Sequence, residues 1–129
     1  MPKPFSIKER LKSFVFAFAG IGRTFKEEHN FRIQVFAAIL IVLAACYFPI
    51  TKSEWMWIIV CISAVLTAEL FNTAIEALAD EADPNQNPII GKIKDASAGA
   101  VLVISLSALI IGLLIFWPHI CLIFSKSTT

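Results

Sequence analysis

From Ile33 to Thr51 the chain carries no charged residue, and from Ala96 to Phe124 it again carries none. Each run is about the length a helix needs to cross the roughly 30 Å hydrocarbon core of a bilayer. Lipid admits few other folds, because every backbone polar group there has to find its partner within the protein. Between these runs a third apolar stretch opens at Glu54 and Trp55 and continues to Asp80, with Trp55 and Trp57 placed as interfacial anchors. The composition agrees: 57% of residues are hydrophobic and 16% charged, against about a quarter charged in soluble domains. The mean hydropathy is +0.75. The reading is an all-α integral membrane protein of one domain, residues 1–129, with helices spanning the membrane at 33–51, 54–80 and 96–124. The stretch 81–95 reads as a polar loop, and Asp95 as the cap of the last helix.

Ahead of the spans, Ile7, Leu11, Phe14, Phe18 and Ile21 recur every three or four residues, while Lys8, Arg10, Lys12, Arg23 and Lys26 supply a wet side. That pattern predicts an amphipathic surface helix over 6–28, lying in the interface with its cations toward phosphates. The short FVFAFAG patch is followed by Arg23 and Lys26 without a cleavable region, so it reads as mature protein and not as a signal peptide. Seven of the eleven Lys and Arg lie at or before Arg32, Lys92 and Lys94 follow the second span, and the first hairpin holds only Lys52. The positive-inside rule then places the N-terminus and the 81–95 segment in the cytoplasm; the expected location is the cell's inner (plasma) membrane. A net charge of +1, with its charges segregated this way, makes no case for a nucleic-acid partner. Cys46, Cys61 and Cys121 all sit in apolar runs without metal-ligand spacing and read as small buried hydrophobes. The small residues Ala-Ser-Ala-Gly-Ala that open the third span suit close packing of one membrane helix on another.

Within the second span the sequence turns polar in a regular way. Glu69, Asn72, Glu76 and Asp80 follow spacings of three, four and four, which confines them to roughly an 80° arc of one helix. Carboxylates on a helix that enters lipid are costly and call for a partner or a task. One alternative is a surface helix with an acidic face; another is that Asn72 and Glu76 only pair polar groups between helices. Two carboxylates with an amide between them equally suit a divalent metal and general-base chemistry. Asp80 and Glu76 fall at the cytoplasmic water line, and Glu69 about 10 Å deeper along the axis. A soluble, phosphate-bearing ligand can thus meet Glu76 while a lipid hydroxyl meets Glu69. There is no Walker A or kinase Gly-rich loop; Gly20-Ile21-Gly22 follows no strand.

Three motifs, Glu28 with HNFRI, ELFNTAIEALAD (Glu69 to Asp80) and KDASAGAVL (Lys94 to Leu102), resemble the small prokaryotic membrane kinases of the diacylglycerol kinase and undecaprenol kinase family. The resemblance runs from Arg10 to Ile120. It implies three transmembrane helices plus a surface helix, a homotrimer with shared sites, and transfer of the γ-phosphate of ATP to a membrane lipid with Mg²⁺ as cofactor. It assigns Glu69 as the base that activates the lipid hydroxyl, Glu28 and Glu76 as ligands of the metal on ATP, and Asn72, Lys94 and Asp95 as supports of the nucleotide. Arg10 is a headgroup contact or, in the resemblance, a contact to ATP. RLKSF, EEHNFRI, KDASAGAVLV and IGLLIFWPHI look more like the undecaprenol kinase branch, with diacylglycerol the alternative substrate. Asn87 stands where a histidine is common, and Ile93 replaces an alanine before Lys94. A non-enzymatic oligomeric transporter with a proton-relaying carboxylate is the rival of another class; the basic residues beside the acidic stripe speak against it.

Overall fold

One 31-residue helix, Lys52–Ala82, is the element on which the other helices rest. The computed structural model describes Met1, residues 4–85 and residues 87–127. Four helices follow one another: α1 (Ile7–Glu27), α2 (His29–Tyr47), α3 (Lys52–Ala82) and α4 (Pro88–Lys126), with no strand among the described residues. The last three are long and apolar enough to cross a membrane. α4 packs along α3 far more extensively than α2 does, and α1 meets both α2 and α3.

Each boundary has a local cause. Ser6 accepts the backbone N–H of Glu9 and starts α1. A single extended residue, Glu28, separates α1 from α2, and Arg32 Nη1 donates to the Lys26 carbonyl at 3.0 Å, placing a cation on the C-terminal end of α1. α3 begins with a complete capping box: Thr51 Oγ1 accepts from Glu54 N, and Glu54 Oε2 accepts from Thr51 N at 2.9 Å. α4 begins where Asn87 Oδ1 accepts from Ile89 N and Ile90 N, with Pro88 in the first turn.

The start of α4 corrects the sequence reading. The polar stretch after Ala82 is not a loop through residue 95; helix resumes at Pro88, eight residues before the expected start, and Asp95 lies inside it and caps nothing. Two prolines and a glycine in PNQNPIIGKIKD suggest loop, but Pro88 stands at a helix start, where its missing N–H has no cost. Asn87 is likewise committed: it caps α4, and its Nδ2 donates to Asp83 Oδ2 at 2.6 Å. At 1.5 Å per residue α2 is about 28 Å long, α3 about 46 Å and α4 about 58 Å. Only α2 matches one hydrocarbon thickness. The surplus of α3 and α4 carries Glu76, Asp80, Lys92, Lys94 and Asp95 as helical residues.

Side-chain packing is concentrated at the Pro49 and Pro118 end. Ala45, Ile58, Ile115 and Phe116 form the buried cluster, joined by Phe48, Trp55 and Ile120. The Phe48 ring meets the Phe116 ring nearly edge-on at 5.9 Å. On the same end His119 Nε2 lies 3.2 Å from Glu54 Oε2, tying the last turns of α4 to the first turn of α3. Elsewhere the bundle leaves Leu40, Leu106 and Leu114 exposed, as a lipid-facing surface allows, since lipid tails are as apolar as leucine. Ser97, within the small-residue run, is buried. On α1 everything from Ile7 to Arg23 is exposed, Leu11, Phe14 and Phe18 included.

Asn87→Ala should cost about 1 kcal/mol by removing the α4 cap. The check is the thermal midpoint in detergent, with Asn87→Ser, which keeps a capping oxygen, recovering most of the loss.

Candidate active site

The polar stripe of α3 divides into a buried and a wet half. Glu69 is 3% exposed and Asn72 is 7% exposed, whereas Glu76 is half-buried and Asp80 exposed. One chain thus hides the deepest carboxylate by itself. An oligomer is not required for that purpose.

The partner of Glu69 lies on another helix. Gln34 Nε2 of α2 donates to Glu69 Oε2 at 3.0 Å. Sequence reasoning missed Gln34, although a signal existed: it is the one amide in the charge-free run Ile33–Thr51, and a buried amide is expected to be hydrogen-bonded. One turn further along α3, Asn72 Nδ2 reaches Glu76 Oε1 at 3.4 Å, at the long end of hydrogen-bond geometry. Three buried polar atoms around these pairs have no partner: Gln34 Oε1, Asn72 Oδ1 and Thr73 Oγ1. Native structures leave few such atoms.

The remaining residues named from sequence fall into two sets. Glu28 is half-buried at the joint of α1 and α2, and its carboxylate makes no capping bond. Lys94 Nζ donates to Asp80 Oδ1 at 2.7 Å, joining α4 to the wet end of the stripe. The structure therefore brings Lys94 to the stripe, through a residue that read as solvated. Asp95 is exposed, one residue beyond. Arg10 is exposed, its guanidinium 5.7 Å from the centre of the Phe5 ring, and about 27 Å from Glu28 along the helix axis. No group of three or more His, Cys, Asp and Glu side chains that could hold a metal occurs among the described residues of one chain. Below the stripe, an apolar cavity of about 530 Å³ runs from Gln34 past Ala38, Ile62 and Ala108 to Phe48 and Ile120.

The sequence of this polar stripe matches known proteins along nearly its whole context. The family model described as prokaryotic diacylglycerol kinase matches residues 15–116. The chain belongs to this family. It is accordingly a lipid kinase and a multi-pass membrane protein, which sets aside the transporter reading. It is 39% identical over 109 residues to the undecaprenol kinase of Bacillus subtilis (strain 168), covering 84% of this chain and 89% of that one. It is 33% identical over 103 residues to the diacylglycerol kinase of Synechocystis (79% and 59% covered) and 27% identical over 109 residues to that of Escherichia coli K12 (84% and 89% covered).

The Lys94–Asp80 pair is partly solvated, so it should contribute little to stability. Asp80→Asn is therefore expected to leave the thermal midpoint nearly unchanged; a loss of several degrees would mean that the pair is covered in the assembled protein.

Proposed function

We propose that this chain transfers the γ-phosphate of ATP to undecaprenol, giving undecaprenyl phosphate, in preference to diacylglycerol. The observation that carries the chemistry is the pairing of depths on α3: a buried carboxylate, Glu69, held by Gln34, seven residues below a half-exposed one, Glu76. The higher identity to an undecaprenol kinase, 39% against 33% and 27% for diacylglycerol kinases, supports the choice of lipid.

In this reading Glu69 takes the proton of the lipid hydroxyl as its oxygen attacks the γ-phosphorus in line, and the β,γ-bridging oxygen departs with ADP. Lys94 leaves or shares Asp80 to meet phosphate oxygens, Asp95 and Asn72 flank the nucleotide, and Arg10 contributes from the surface helix. The donors for a magnesium ion are hard oxygens of the right kind: the Glu76 carboxylate, the uncommitted Glu28 carboxylate and the unpartnered Asn72 Oδ1. When bound, the ion would neutralise charge on the β- and γ-phosphates. Positioning and charge neutralisation supply most of the rate in such a transfer.

The wider reading has α1 lying on the cytoplasmic face of the inner membrane, which its exposed Leu11, Phe14 and Phe18 and its flanking cations favour. The protein works as a homotrimer with sites shared between copies.

Labelled ATP offered with undecaprenol and diacylglycerol in one detergent tests the substrate; faster labelling of diacylglycerol would overturn the choice. Glu69→Gln should lower turnover by about 10²–10⁴-fold with little change in Mg-ATP affinity. Glu76→Gln should abolish activity and weaken Mg-ATP binding, because a metal ligand loses its charge; unchanged Mg²⁺ dependence would exclude Glu76 as a ligand. Mixing Glu69→Gln with Glu28→Gln chains should restore partial activity if sites are shared between copies.

A further inference from the structure

We infer that Gln34 is a positioning residue for Glu69: its amide fixes the direction of the carboxylate between the apolar cavity and the nucleotide end of the stripe. The inference rests on the reading of Glu69 as the base and deepens it. Three observations carry it. Gln34 Nε2 donates to Glu69 Oε2 at 3.0 Å across two helices, between residues 35 apart in sequence. Glu69 is 3% exposed, so solvent does not compete for that oxygen. Gln34 lines the apolar cavity and Glu69 does not, which makes the amide the link between the two.

The geometry is not that of an amide serving only to hold helices together. A structural amide in a packed interface satisfies both of its ends. Here Gln34 Oε1 is buried without a partner while Nε2 is committed to the carboxylate. The flipped amide would set oxygen against oxygen at the same 3.0 Å, two acceptors with no proton between them. The carboxylate therefore dictates the amide's orientation, and the amide in turn restricts rotation of the carboxylate. The backbone beneath is stiff: Phe31, Gln34, Ala38 and Ala45 lie within about a 60° arc of α2, and Phe31 and Ala45 are each 2% exposed. A side chain anchored this way can hold a base within the narrow range of directions that proton transfer requires.

The test uses the full-length protein in detergent with labelled ATP and undecaprenol or diacylglycerol, whichever the wild type phosphorylates. Gln34→Met removes the donor at nearly constant length, and kcat should fall about 10- to 100-fold, as small misplacements of a catalytic group do. KM for ATP should stay within about twofold, since nucleotide binding is not touched. Gln34→Asn, which keeps the amide but is one methylene too short, should fall likewise and serves if the methionine variant does not fold. Gln34→His, with an N–H at comparable reach, should recover most of the rate. A readout independent of turnover is the infrared band of Glu69, isolated as the difference between wild type and Glu69→Gln; it should move in Gln34→Met and return in Gln34→His. An unmoved band, a full rate in Gln34→Met, or equal losses in the methionine and histidine variants accompanied by equal loss of thermal stability would each overturn the inference. A wild-type protein that phosphorylates no lipid alcohol would instead remove the reading of Glu69 as a base, and this inference with it, whatever the band does.

Discussion

A carboxylate buried in a membrane helix is the constraint to which the rest of this molecule answers. Glu69 cannot face lipid without a partner, and no cation is available near it on its own helix. The solution is a neutral donor from the neighbouring helix, Gln34. A neutral partner satisfies the carboxylate less completely than a cation would. It also sets the mutual register of α2 and α3, because a displacement by one residue on either helix would carry one group away from the other.

The two ends of the bundle accordingly have different character. Toward Pro49 and Pro118, packing is apolar and supported by the Glu54–His119 contact and by the Phe48 and Phe116 rings. Toward Ala82 and Pro88, contacts are polar, from Lys94 on Asp80 at 2.7 Å to Asn72 on Glu76 at 3.4 Å. Rigid packing at one end allows the other to remain less constrained.

Helix length completes the arrangement. α3 and α4 extend beyond the hydrocarbon, so that the polar half of the stripe and the basic residues of α4 stand on rigid helix and not on a loop. The Lys94–Asp80 contact at 2.7 Å is possible because both residues project from helices whose spacing is already set by the buried packing of α4 on α3. A loop at 81–95 would have held Lys94 far less firmly.

The sequence by itself determined much of this. Charge-free runs require helices in lipid, the spacing of Glu69, Asn72, Glu76 and Asp80 requires a polar stripe on one of them, and the three motifs point to the family. These are properties of single segments, and periodicity reports which face of a helix a residue occupies. It cannot report what that face meets. Only the tertiary structure decided that Glu69 is met by Gln34, that Asp80 holds Lys94, and that one chain suffices to bury Glu69. It also decided that helix resumes at Pro88, where the cap from Asn87 and packing on α3 override the loop-like composition of the segment. Each of these depends on contacts between residues distant in sequence, or on a choice between helix and loop that local composition leaves nearly balanced.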